Sequence, residues 1–187
     1  MRTHGLASIN GEQEGGNFFR INPDIQYYGS NLAILTKGFE DLYDCCHRAY
    51  QSQHDPLGRM DAMLEAYLSF GLAQANVYNL MFILHVPKYN DYVGTSMEPT
   101  ARLELETAMS VLELFVGAIK VCGDVSDSIS DKDARFIMIR LWTHLHGFIA
   151  GYNNSVLDYM HEVPVALRSE ISDRIKGTLR SELDRHQ

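Results

Sequence analysis

The sequence predicts an all-α fold, and three observations carry that expectation. From Leu32 onward, apolar residues recur three and four apart, the spacing of one face of a helix. Proline, glycine, serine and aspartate fall between those stretches, where helices start and stop. No segment alternates apolar with polar over the length of a strand, so no sheet is expected.

Taken in order, residues 1–20 contain Gly5, Gly11, Gly15 and Gly16, show no apolar period, and offer only Phe18 and Phe19 as anchors. Asn22-Pro23-Asp24 gives a turn or helix start. Gly29-Ser30 reads as a break, with Ser30 as the N-cap of the next helix. The apolar positions Leu32, Leu35, Phe39, Leu42, Tyr43, Cys46 and Tyr50 predict that helix from about Asn31 to Gln51. Asp55-Pro56 restarts the pattern, with Leu57, Met60, Leu64, Tyr67, Leu68 and Gly71 on the inner face. A kink is expected near Gln74–Asn76, before the apolar group Val77–His85.

Pro87 to Pro99 predicts a loop, and Pro99 opens a long helix to about Val121, stopped at Gly123. Ser130 or Asp131 caps the next helix, whose segment Phe136–Tyr152 is apolar nearly all round; Asn153-Asn154 ends it. A short helical turn is expected over Val156–His161. Pro164 starts the last helix, in which Leu167, Ile171, Ile175, Leu179 and Leu183 recur every four residues.

A chain of 187 residues, 45% hydrophobic and 21% charged, can bury one sizeable core. No apolar run approaches the ~20 residues of a membrane span, and no charged-then-apolar signal opens the chain. Cys45, Cys46 and Cys122 make an odd set with two adjacent members, which fits no disulfide framework and points to a reducing, cytoplasmic setting. A net charge of −8 argues against a large nucleic-acid footprint.

The segment Phe136–Tyr152 is the informative one. A helix apolar on both faces must be covered on both, one side by a core or cavity and the other by a partner. Trp142 and His146 lie four apart, one above the other, whereas His144 diverges from His146 by about 200°. The two histidines therefore cannot share one metal ion, and His85 has no carboxylate or cysteine motif to join, so neither metal nor cofactor is expected. His146 remains open between contacting a ligand, acid–base chemistry, and a core role bonded to a backbone carbonyl or tyrosine hydroxyl. No nucleophile motif, phosphate loop or dinucleotide fingerprint occurs.

Three segments in order, Tyr67-Leu-Ser-Phe70, Val77-Tyr-Asn-Leu-Met-Phe82 and Leu141-Trp-Thr-His-Leu-His-Gly147, resemble the ligand-binding domain of tetracycline-repressor-like (TetR-like) regulators. The subgroup is the one named for a Trp/His/Gly motif, here Trp142, His146 and Gly147. Asn22–Ser30 is similar to the end of that family's DNA-binding domain. The resemblance implies a helical bundle with an internal pocket for a small, mostly apolar ligand, on faces carrying Tyr67, Phe70, Tyr78, Met81, Phe82, Met109, Leu112, Phe115, Trp142 and His146. It also implies a homodimer formed by the last two long helices, with His144, Tyr152, Leu167, Ile171, Ile175 and Leu179 toward the second subunit.

The front end departs from the family. A three-helix reader needs roughly 30 residues, and residues 1–54 carry four Lys/Arg against six acids, net −2, where phosphate contacts need positive charge. Residues 1–30 are therefore expected to be a shortened helix-turn-helix remnant, and residues 31–187 a ligand-binding and dimerisation domain. The expected activity is regulation through ligand or protein-partner binding, with DNA binding impaired or absent. The alternatives are an intact-type ligand-responsive repressor and an enzyme evolved in the same pocket.

Overall fold

The computed structural model describes residues 25–123 and 129–185, the side chains of residues 25–30 excepted. Expectations placed on residues 1–24, including the turn at Asn22-Pro23-Asp24, lie outside that range. Seven α-helices are described and no strand: α1 (Ile25–Gln51), α2 (Pro56–Ala73), α3 (Ala75–Phe82), α4 (Tyr89–Tyr92), α5 (Glu98–Cys122), α6 (Asp131–Asn153) and α7 (Leu167–Asp184). Short 3-10 turns at Leu157–Tyr159 and Pro164–Ala166 connect the last two.

The helix starts follow from local chemistry. Asp55 accepts the Gly58 N–H at 2.7 Å and Pro56 occupies the first turn of α2, so an orphan donor is satisfied where proline costs nothing. Ser130 does the same for α6, accepting the Asp133 N–H at 3.2 Å, with Asp131 and Asp133 favourably placed at the positive end of the helix dipole. Glu98 opens α5 and gathers the preceding loop, accepting from the Gly94 N–H at 2.8 Å and from the Tyr89 hydroxyl at 3.2 Å. Gly94 has φ +79°, a conformation that favours glycine.

Four boundaries differ from expectation. Helix α1 runs through Gly29-Ser30 and starts at Ile25, because one glycine inside a long helix costs only about 1 kcal/mol and need not end it. Helix α3 stops at Phe82, short of His85. The segment between Pro87 and Pro99 holds the one-turn helix α4. Pro164 opens a 3-10 turn, and α7 begins three residues later. The break at Gln74 falls where expected: its N–H returns to the Phe70 carbonyl, and α3 starts at the next residue.

Helix α1 lies against α2 and α5, α5 also against α2 and α6, and α7 against α6 and α2. One main core forms between them around Leu42, Met63, Tyr67, Phe115, Ile119, Leu141, Leu145 and Ile149. At Gly71 the helices α2 and α6 approach closely enough that a Cβ would stand 2.6 Å from Ile149 Cδ1. Leu32, Tyr92 and Ala101 form a second, small cluster that ties the first described turns of α1 to α4 and α5.

Helix α7 corrects an expectation. Ile175 and Leu179, placed by sequence toward a second subunit, are buried in the chain's own core together with Leu183. The polar flank of the same helix reaches α2, where Lys176 pairs with Glu65 at 2.8 Å and Arg180 with Asp61 at 2.6 Å. A four-residue stripe specifies a buried face but not its cover, and here α2 and α6 supply it. Ile137 on α6 is likewise fully buried inside the chain.

Candidate functional site

Four side chains from three helices close a ring at the centre of the bundle. The interruption at Gln74 lets α3 turn back on α2, bringing Tyr78 edge-on to Tyr67 with centroids 6.2 Å apart. Across from them, one turn of α6 presents Trp142 and His146 stacked at 4.7 Å with a 16° interplanar angle. Trp142 Nε1–H donates to the Tyr67 hydroxyl at 2.9 Å. The Tyr67 and Tyr78 hydroxyl oxygens are 3.5 Å apart, and Tyr78 Oη lies 3.0 Å from His146 Nδ1.

Burial sets the protonation states. It holds the Tyr67 phenol well above its ordinary value and pushes Tyr78 up to about 12. The same loss of solvent lowers His146 from its ordinary 6.5, so at neutral pH the ring is uncharged. A neutral imidazole has one acceptor nitrogen, and with Nδ1 in that role Tyr78 donates to it while Nε2 carries the proton. Indole N–H can only donate, so with that tautomer the order runs from Trp142 to Tyr67 to Tyr78 to His146. His146 thus bonds a tyrosine hydroxyl.

Beside this ring lies a half-open cavity of about 240 Å³. Helix α1 contributes Phe39 and Leu42, α2 Tyr67, α3 Phe82, α5 Ala108, Val111 and Leu112, and α6 Met138, Ile139 and Trp142. Among the described residues, no lining side chain is charged. Among those residues Tyr67 and Trp142 are the polar-capable walls, and they are bonded to each other.

Of the ten side chains expected in a pocket, Tyr67, Phe82, Leu112 and Trp142 line this cavity. Tyr78 and His146 stand outside the lining, in the hydrogen-bonded chain. Phe115 is fully buried and packs edge-on to Tyr67 at 6.1 Å. Met81 is buried with its sulfur beneath Gly38. Phe70 packs at the margin of the core, and Met109 is exposed on α5. Sequence reasoning missed Phe39, Leu42, Ala108, Val111, Met138 and Ile139. The three- and four-residue spacing of Ala108, Val111 and Leu112, and of Met138, Ile139 and Trp142, was the available signal. Of the residues expected toward a second subunit, His144 is exposed, while Tyr152, Leu167 and Ile171 are half-buried against the core.

The family description "Tetracyclin repressor-like, C-terminal domain" matches residues 60–163, more than half of the chain. The chain belongs to that family. The matched TetR-like stretch holds Tyr67, Tyr78, Trp142 and His146 and every cavity wall except Phe39 and Leu42, which α1 supplies from outside it. No curated protein and no solved structure matches the chain. Among the described residues, no helix of this TetR-like chain is long and apolar enough to cross a membrane.

Proposed function

We propose that this TetR-like regulator binds a small, uncharged, mostly apolar molecule in the half-open cavity beside Trp142. The observation that carries the reading is the cavity itself: about 240 Å³ with an aromatic and aliphatic wall. That volume lies below the roughly 300–1,000 Å³ of drug-sized pockets, so the ligand is small. A charged ligand would lose its hydration there without gaining a counter-charge.

Trp142 is the chain's single tryptophan and stands in the cavity wall, so its fluorescence reads occupancy directly. Ligand present at about 100 times its Kd should also add ~2.7 kcal/mol of stability. Titration with small aromatic and aliphatic molecules is expected to change the emission and raise the melting temperature together. If no such compound moves either signal, the cavity is only a packing defect and the reading fails.

The output is proposed to run through a homodimer and ligand or protein contacts rather than through DNA contacts made by the described residues. Ten Lys/Arg side chains there sit in ion pairs with acids of the same chain, leaving little positive surface for phosphates. Support for a dimer comes from the outer face of α6, where Phe136 and Ile139 are 58% and 56% exposed and continue into Thr143, His144 and Gly147. A salt-dependent shift of operator-like DNA by this chain would overturn the first point. A monomer in sedimentation at micromolar concentration would overturn the second.

A further inference from the structure

Among the described residues lining the cavity, Tyr67 is the one whose side chain carries a hydroxyl, and the hydrogen bonding of that hydroxyl is unbalanced. Its oxygen accepts a well-formed bond from Trp142 Nε1 at 2.9 Å, while the nearest partner for its own proton, Tyr78 Oη, lies at 3.5 Å. Amide and hydroxyl bonds of full strength are several tenths of an ångström shorter than that. The alternative imidazole tautomer does not change the result. If His146 Nδ1 carries the proton and donates to Tyr78, then Tyr78 donates toward Tyr67, whose own proton loses even the long partner. In both arrangements the under-used valence of the wall is a donor. The bond accepted from Trp142 also polarises that phenol and strengthens it as a donor.

We infer that Tyr67 is the specificity-determining residue of the cavity, and that the ligand class is an uncharged, largely apolar molecule bearing one hydrogen-bond acceptor such as a carbonyl. The inference rests on the cavity being a ligand site, and it adds the single polar feature the ligand must carry. Apolar surface fills the space against Phe39, Phe82 and Leu112; the carbonyl takes the Tyr67 proton. Ligands with a positive or negative charge are rejected because no opposite charge lines the wall.

Acetophenone and α-methylstyrene test this, since they share a shape and differ by a carbonyl against a C=CH2 group. Dissociation constants for both are read from Trp142 fluorescence in the unaltered protein and in Tyr67→Phe. Comparing the ratio of the two constants between proteins cancels the different hydration of the probes, as in a double-mutant cycle. Loss of the Tyr67 hydroxyl is expected to move the ratio toward the hydrocarbon by about three- to tenfold. Tyr78→Phe is expected not to do so, because it removes the bond to His146 and the long contact to Tyr67 but leaves the Tyr67 hydroxyl and its bond from Trp142 in place. The carbonyl stretch of bound acetophenone should fall to lower wavenumber in the unaltered protein and return in Tyr67→Phe. Should Tyr67→Phe not fold, that stretch in the unaltered protein decides alone. A ratio unmoved by Tyr67→Phe, or a bound carbonyl with no shift, overturns the inference and leaves the cavity reading standing. Failure of both probes to bind at all overturns both.

Discussion

Trp142 and His146 stack face to face, one turn apart on α6, yet each hydrogen-bonds a different helix: the indole reaches Tyr67 on α2 and the imidazole Tyr78 on α3. The pair therefore clamps the α2–α3 break against α6. This gives a physical reason for two polar rings in an otherwise apolar helix. Trp142 Nε1 and His146 Nδ1 each find a partner inside the bundle, where an unpaired polar group would cost about 1–3 kcal/mol.

The clamp should respond to pH. Burial lowers the folded pKa of His146 below its ordinary 6.5, so the unfolded chain binds the proton more readily than the folded one. Stability from this group is full above pH 6.5 and is lost as the pH falls through the folded value. The melting temperature should hold from about pH 8 to 7 and decline below about 6.5. The same titration of His146→Phe should lack that component; identical profiles would remove His146 as its source.

Filling the cavity separates binding from folding. Ala108 is half-buried in the lining, and Ala108→Phe adds a ring to the cavity wall. The unfolding free energy from urea titration should change by no more than about 1 kcal/mol, while the fluorescence response of Trp142 to small apolar molecules disappears. Retained binding would place the ligand elsewhere.

Two glycines should respond in opposite directions. At Gly71 an added Cβ meets Ile149 Cδ1 at 2.6 Å and Cγ2 at 2.9 Å, and a β-branched chain cannot swing both away. Overpacking of this kind costs about 1–3 kcal/mol and outweighs the ~1 kcal/mol helix gain of alanine. Around Gly147 nothing lies within 4 Å, so Gly147→Ala should stabilise the isolated subunit by about 0.5–1 kcal/mol. A larger residue, Gly147→Leu, is expected to weaken the proposed dimer without lowering the helical content. Sedimentation and circular dichroism measure the two effects separately, and an unaffected dimer would move the interface off this face.

The adjacent thiols should react unequally. A hydrogen bond from Cys46 lowers the Cys45 thiol, whereas the bond to Cys45 and then full burial raise Cys46. Burial pushes Cys122 up to about 11. Iodoacetamide at about pH 8 should modify Cys45 first and leave Cys46 untouched until the chain unfolds. Peptide mapping by mass spectrometry reads the order; early labelling of Cys46 would contradict it.

Local spacing and punctuation were enough to specify the all-α class, the caps at Asp55 and Ser130, the break at Gln74 and the pairing of Trp142 with His146 on one side of α6. Those features depend on residues within a turn or two of each other, so the sequence by itself determines them. The tertiary structure decided what covers each face. It turned Ile175 and Leu179 into the chain's own core and left Phe136 and Ile139 largely exposed. It also brought Phe39 and Leu42 of α1 to the cavity and joined Tyr67 to Trp142 across 75 residues. An amphipathic stripe states that a face will be buried. Which helix buries it depends on long-range packing, where the break at Gln74 and the close approach at Gly71 set the positions.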